Sequence, residues 1–183
     1  MSTKINYFGV AGGALTIAVV AISLFYPWWQ LTAGDNFLTA TLSPFTTGLI
    51  LFGTTFNIPL IGAANIAVAL SLAIAGVIML IYSFVPTKPY AKQLLGFSYK
   101  TPLFSVIFFV LLLVAMTLIM QTLLNLNVPL SGSTTSTLPK GLTQGVNVSV
   151  LISTQFLWPF YLATVASGLC IAAKLYHRKI ANA

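Results

Sequence analysis

Four long apolar stretches dominate this sequence and limit what it can fold into. They cover residues 7–27, 60–84, 102–125 and 154–175, and each approaches or exceeds the roughly 20 residues that a helix needs to cross a bilayer. Only 5% of the 183 residues are charged, whereas about a quarter of the residues in a soluble domain are charged. The sequence therefore predicts one membrane domain over residues 1–183 with four transmembrane helices.

The basic residues indicate how these helices are oriented. Seven of the eight lie before the first apolar stretch, between the second and third, or at the end of the fourth: Lys4, Lys88, Lys92, Lys100, Lys174, Arg178 and Lys179. By the positive-inside rule, we expect both termini and the loop 85–101 to be cytoplasmic. The remaining charges, Asp35 and Lys140, fall in the predicted outer loops 28–59 and 126–153. We expect a multi-pass protein of the plasma membrane.

Aromatic and proline residues mark the expected helix ends. Trp28, Trp29 and Trp158 are predicted to anchor the outer interface, where amphipathic rings prefer to lie. Thr101 followed by Pro102 predicts the start of the third helix, as an N-cap with proline at the first helical position. Pro159 has two interpretations, because it lies either at the true start of the fourth helix or at a kink within it.

Short β-favouring segments occur in both predicted outer loops. The first loop contains residues 37–42 and 49–56, and residues 146–154 in the second begin with an alternation of apolar and polar side chains. Such alternation is typical of a half-buried strand. We therefore expect an all-α transmembrane four-helix bundle with cytoplasmic termini, carrying a small extracellular β-sheet formed by the two outer loops.

Small residues recur at helical spacing and predict how the helices pack, because close backbone approach holds membrane helices together. The predicted packing residues are Gly9, Gly13, Ala63, Ala67, Ser71, Ala75, Thr164, Gly168 and Ala172. The third helix is bulky instead and is expected to face lipid or a partner subunit. Asn65, Gln121 and Gln155 are the strongly polar side chains near the apolar cores, and we expect them to form hydrogen bonds across the bundle.

The inventory of reactive side chains argues against catalysis by this chain. Ionisable groups inside a membrane usually mark function, and none lies in the four apolar cores. The whole chain has one acidic residue, Asp35, together with one histidine, His177, and one cysteine, Cys170. A metal or haem site needs several such ligands. We therefore expect no enzyme activity, no cofactor and no metal site, and we expect no nucleic-acid partner because the basic residues serve as topology signals.

Two features of the outer loops suggest further hypotheses. Asn147, Val148 and Ser149 form an N-glycosylation sequon, so Asn147 is a possible modification site. The nearly acid-free exterior suggests strongly acidic surroundings, in which carboxylates would be protonated. An acidophilic archaeon as host would fit this composition.

The predicted topology and one local pattern resemble the claudin and peripheral-myelin-protein class. Pro27, Trp28 and Trp29 after the first helix, followed by Gly48 and Leu49, are similar to the tryptophan and Gly-Leu-Trp signature of the claudin first loop. Ile50 stands where the second signature tryptophan would be, and both loop cysteines are absent. The resemblance implies four helices, cytoplasmic termini and a strand-bearing outer surface, without implying pore or junction function.

These observations lead to one functional hypothesis and two alternatives. The leading hypothesis is a non-catalytic tetraspan membrane protein that acts through protein-protein association, as a structural, scaffold or adhesion-like component. The first alternative is an accessory subunit of a membrane-bound enzyme complex, such as a respiratory oxidase. The second is a small channel or transporter. The expected partners are the lipid bilayer and other membrane protein subunits or further copies of this chain.

Overall fold

The chain forms four helices and six strands within the residues that the structure describes. The structure is a computed structural model, and it describes residues 5–34, 38–51, 54–56, 59–124, 126–137 and 149–181. In chain order the elements are α1 Tyr7–Ser23, β1 Trp29–Ala33, β2 Leu38–Leu42, β3 Thr47–Leu51, β4 Thr54–Phe56, α2 Pro59–Phe84, α3 Ala91–Leu124, β5 Gly132–Thr137, β6 Ser149–Phe156 and α4 Trp158–Ala181. The predictions for Lys4, Asp35, Lys140 and Asn147 lie outside the described residues.

Three of the helices contain segments long and apolar enough to cross a membrane, as the sequence predicted. These segments are Gly62–Phe84, Ala91–Thr122 and Trp158–Lys179. The first helix, α1, is apolar but has only 17 residues. It ends at Ser23, earlier than expected, because the N–H groups of Phe25 and Tyr26 both donate to the Ile22 carbonyl in a closing turn. The apolar run beyond Ser23 leads into the sheet instead of extending the helix.

The expected start of the third helix at Pro102 is wrong. The helix α3 begins at Ala91 and contains Pro102 in its interior. Proline removes only one backbone donor, and the preceding turns are held by burial, since Ala91, Leu95 and Ser98 are almost fully buried. The Ser98 hydroxyl also lies 3.6 Å from the Met79 sulfur on α2. Residues 85–90 alone therefore connect α2 to α3.

The structure contains a small sheet, as predicted, and this sheet has six strands in the order β4-β3-β2-β1-β6-β5. Every pair of neighbouring strands is antiparallel. The strand β1 lies in the middle, with Leu31 opposite Ala40 of β2 on one side and opposite Thr154 of β6 on the other. The segment that follows α1 and the segment that follows α3 are thereby joined in one sheet.

The strand β6 extends into residues that were expected to begin the fourth helix. Its burial alternates as far as Thr154, which is buried, and Gln155, which is exposed. The chain then turns where the Leu157 N–H donates to the Trp28 carbonyl at 2.8 Å, and α4 starts at Trp158. Pro159 therefore lies in the first turn, where its missing N–H costs nothing, and the kink interpretation is wrong.

Two buried clusters hold the described elements together. The larger lies where the sheet meets the helices, and its residues include Val19, Trp28, Trp29, Leu31, Phe45, Phe109 and Leu113. The smaller joins the end of α2, the start of α3 and the second half of α4, through Met79, Tyr82, Ala91, Leu95, Cys170 and Ala173. The two clusters thus hold the helices together at both ends of the bundle. The sheet lies at one of these ends, beside the larger cluster.

Candidate functional site

The predicted glycines of α1 lie at close helix crossings. An added Cβ at Gly13 would lie 2.9 Å from the Gly76 carbonyl oxygen on α2, and one at Gly9 would collide with the Ser83 hydroxyl. Sequence analysis did not single out Gly12 and Gly76. An added Cβ at Gly12 would lie 3.0 Å from the Cys170 sulfur on α4, and one at Gly76 only 2.8 Å from Ile17. Small residues on α1 thus allow contact with both α2 and α4, as membrane helix packing requires.

The predicted packing residues of α2 divide into two groups. Ala75 is fully buried and Ser71 is partly buried. Ala63 and Ala67 are exposed, so they do not pack against other parts of the described chain. The fully buried residues of the described part of α2 begin at Leu72, in its second half, whereas Val68 and Ala69 in the first half are partly buried against the larger cluster.

The packing face of α4 differs from the predicted one. Thr164 and Gly168 are exposed, Ala172 is only partly buried, and an added Cβ at Gly168 would meet nothing within 4 Å. The buried residues are instead Ala163, Ala166, Ser167, Cys170 and Ala173. Their mean direction lies about 160° around the helix from that of the predicted row, at 3.6 residues per turn, so the contacting side is nearly opposite the predicted one. A row of small residues did not by itself identify the contacting side.

Trp28 and Trp29 are not interface anchors, because they are 1% and 0% exposed. The indole N–H of Trp28 donates to the Ser23 hydroxyl at 2.7 Å, and that of Trp29 donates to the Leu130 carbonyl at 2.8 Å. These bonds satisfy the one polar group of each ring and allow complete burial. Trp158 is 52% exposed beside the exposed Tyr26, with ring centroids 5.7 Å apart, which suits an interface anchor.

Trp28 is the centre of the contact between sheet and helices. Its ring packs edge-on against Phe45 beside the sheet, Phe109 on α3 and Phe160 on α4, with centroid distances of 5.8, 5.2 and 6.1 Å. Aromatic pairs in this range stabilise beyond their buried area by about 0.5–1.5 kcal/mol. The aromatic cluster around Trp28 therefore packs the sheet against α3 and α4.

A second structural site, which sequence analysis missed, surrounds Asn6. Its side-chain oxygen accepts the Gly9 N–H at 3.1 Å and so caps α1. Its amide nitrogen donates to the Tyr82 hydroxyl on α2 and to the Ala173 carbonyl on α4, both at 2.9 Å. One fully buried side chain thus links three helices. An asparagine directly before an apolar helix is a typical N-cap signal, and it could have indicated part of this role.

The three polar residues expected to bond across the bundle do not do so in the described structure. Asn65 donates to the Thr47 hydroxyl of β3 at 3.3 Å, which links α2 to the sheet. Gln155 lies in β6 opposite Gln30 of β1. Gln121 is exposed on α3. Gln155 therefore belongs to the sheet, and Asn65 attaches α2 to the sheet.

The reactive side chains of the described residues lie apart from one another. Cys170 is fully buried, with its sulfur 3.8 Å from the Thr16 hydroxyl. His177 packs against the Tyr82 ring at a centroid distance of 5.6 Å, and its Nδ1 has no hydrogen-bond partner in the described structure. Among the described residues, no group of three His, Cys, Asp or Glu side chains could hold a metal ion. Neither Cys170 nor His177 lines the opening between α2 and α3.

That opening is an apolar groove between α2 and α3 of about 900 Å³. We call it the α2–α3 groove, and its walls include Ala64, Val68, Leu72, Phe104, Phe108, Leu112 and Met116. Leu42, Ser43 and Thr47 close it at the sheet, while Lys100 and Thr101 lie at the opposite end. The Ser105 hydroxyl, which lines the groove, is buried and has no hydrogen-bond partner in the described structure. This groove is the best candidate binding site of the described chain.

Comparisons with known proteins found no family model that matches the chain and no matching curated protein. The resemblance to claudins therefore stays a prediction from topology and the first-loop pattern.

Proposed function

We propose that this chain is a non-catalytic tetraspan protein of the plasma membrane that acts by associating with other membrane proteins through α3. The observation that carries the proposal is how little of α3 the chain buries. Only 11% of its apolar part is buried within the chain, against 22% for α2 and 33% for α4. A helix of 34 residues with so few internal contacts has a large surface for lipid or for a partner.

One face of α3 fits a partner helix best. Ile107, Leu111 and Leu118 follow one another at intervals of four and seven residues, so they share a side of the helix. All three are exposed. None of the three lines the α2–α3 groove, although their face adjoins its wall at Phe104. In lipid, van der Waals packing of such a face is the main force for association.

The orientation is part of the same proposal. Lys88, Lys92, Lys174, Arg178 and Lys179 all lie toward the ends of the helices away from the sheet, which supports cytoplasmic termini under the positive-inside rule. At the sheet end, Phe25, Tyr26, Trp158 and Tyr161 are exposed, as an outer aromatic belt requires. With the turn after Ser23, α1 then forms the fourth span.

The likeness to the claudin class remains a second part of the proposal and concerns architecture only. Its support is that strands from both long connections join one antiparallel sheet above the helices. Trp28, the first tryptophan of the resembling pattern, anchors that sheet to α3 and α4.

Co-purification from native membranes tests the association. Leu111→Ala removes packing from the proposed face and is expected to reduce a co-purifying partner about fivefold, corresponding to about 1 kcal/mol. Leu70→Ala is the matched control, since Leu70 on α2 is 59% exposed and Leu111 is 56% exposed. Mass spectrometry of the wild-type complex identifies the partner. Redox subunits at a fixed ratio would favour an accessory subunit, and further copies of this chain would favour a scaffold. A bare monomer in mild detergent would contradict the proposal.

A further inference from the structure

The α2–α3 groove has the dimensions of a ligand site. Its volume of about 900 Å³ lies within the ~300–1,000 Å³ typical of small-molecule sites. Along α3 its lining runs from Phe97 to Met116, about 28 Å at 1.5 Å per residue. That length exceeds half of the roughly 30 Å hydrocarbon thickness of a bilayer. An extended chain from one leaflet can therefore lie along it.

The two ends of the groove differ in their free polar groups. At the sheet end, Asn65 already donates to Thr47, and the Ser43 hydroxyl lies 2.9 Å from that of Thr46. At the other end, Lys100 forms no hydrogen bond or ion pair with the described residues, and the Ser105 hydroxyl is buried without a hydrogen-bond partner. A polar ligand group is therefore accommodated at the Lys100 end.

The positive charge of Lys100 determines which polar ligand group fits this end of the groove. Lys174, a neighbouring basic residue, donates to the Tyr99 hydroxyl at 2.6 Å and lies 4.1 Å from the centre of that ring. Lys100 has no such contact, and no acidic side chain occurs among the described residues to neutralise it. An anionic group is thus the complementary ligand at Lys100, while the walls beyond it are apolar.

We propose that the α2–α3 groove binds one membrane lipid with an anionic headgroup. The headgroup lies at Lys100 and Thr101, and an acyl chain lies along Phe104, Phe108 and Leu112 toward the sheet. The ester group that joins the headgroup to the acyl chain lies at the Ser105 hydroxyl, and the chain fills the space between α2 and α3. This site does not depend on protein association, because the face at Ile107, Leu111 and Leu118 lies outside the groove.

Native mass spectrometry of the purified full chain tests the site with two probes that share the same acyl chains, phosphatidylglycerol and phosphatidylcholine. The wild type is expected to retain one phosphatidylglycerol preferentially. Lys100→Gln should reduce that preference about fivefold, the usual contribution of one basic residue near an anionic lipid surface. Lys92→Gln, which changes an exposed lysine of α3 outside the groove, should leave it unchanged. Ser105→Leu should block the groove and lower retention of both lipids.

Equal retention of the two lipids by the wild type would overturn the proposal, as would an equal loss in the Lys92 and Lys100 variants. A measurement on the unmodified chain covers the case in which a variant does not fold. Phosphatidylglycerol with a photoreactive acyl chain should label the segment from Phe104 to Leu112. Labelling confined to α1 and α4, or a protein helix cross-linked in the groove, would overturn it.

Discussion

Replacement of Asn6 by alanine should destabilise the helices although it removes only one small side chain. Asn6 is fully buried, caps α1 through Gly9, and donates to Tyr82 on α2 and Ala173 on α4. Asn6→Ala removes all three of these bonds. It also leaves the Gly9 N–H and the Ala173 carbonyl without those partners.

The size of the effect follows from these bonds. Loss of an N-cap side chain costs about 1 kcal/mol, and each hydrogen bond between membrane helices contributes about 0.6 kcal/mol. The expected loss in the free energy of unfolding is therefore about 2 kcal/mol. Asn6→Ser keeps a capping hydroxyl but lacks the amide that reaches α2 and α4, so about half of the loss, near 1 kcal/mol, is expected.

Equilibrium unfolding in mixed micelles with increasing denaturing detergent, followed by circular dichroism, measures both values. A double-mutant cycle of Asn6→Ala with Tyr82→Phe isolates the bond between the two side chains, for which we expect a coupling of about 0.6 kcal/mol. An alanine variant as stable as the wild type, or a serine variant as unstable as alanine, would refute the assignment of separate capping and cross-linking roles to Asn6.

Two further variants test the helix crossings and the sheet junction. Gly13→Val should lower stability by about 1–3 kcal/mol in the same unfolding assay, since its Cβ would lie 2.9 Å from the Gly76 carbonyl oxygen. Gly168→Val is the control, because nothing lies within 4 Å of an added Cβ there, and equal losses would contradict the crossing. Trp28→Phe should cost about 1–2 kcal/mol through the lost bond to Ser23, whereas Trp158→Phe should stay within about 0.5 kcal/mol as an exposed substitution. The reverse order of these tryptophan variants would show that Trp28 is not the anchor of the sheet.

Features governed by local sequence were predicted well. Apolar length alone indicated the spanning segments of α2, α3 and α4, because the bilayer sets a minimum number of apolar residues. Alternation indicated β6, since one face of this strand is buried against the helices. The small residues Gly9 and Gly13 of α1 were identified because close approach needs the absence of a side chain.

Features governed by distant contacts were not predictable from local patterns. Pro102 signalled a helix start, but packing against Met79 on α2 keeps the preceding turns helical. Trp28 and Trp29 were predicted to be interface anchors from their position after the first apolar stretch. Their burial was not predictable, because it depends on Phe109, Phe160 and the chain near Leu130, which are remote in sequence. The α2–α3 groove likewise depends on the space left between two helices, which no local residue pattern encodes.

Site-specific photo-cross-linking in native membranes tests most directly the central claim that α3 contacts a partner protein. A photoreactive amino acid replaces Leu111 on the proposed face, or Leu70 on α2 as a control of similar exposure. The account predicts a discrete protein adduct from position 111 and lipid adducts alone from position 70. Lipid adducts alone from both positions would contradict it.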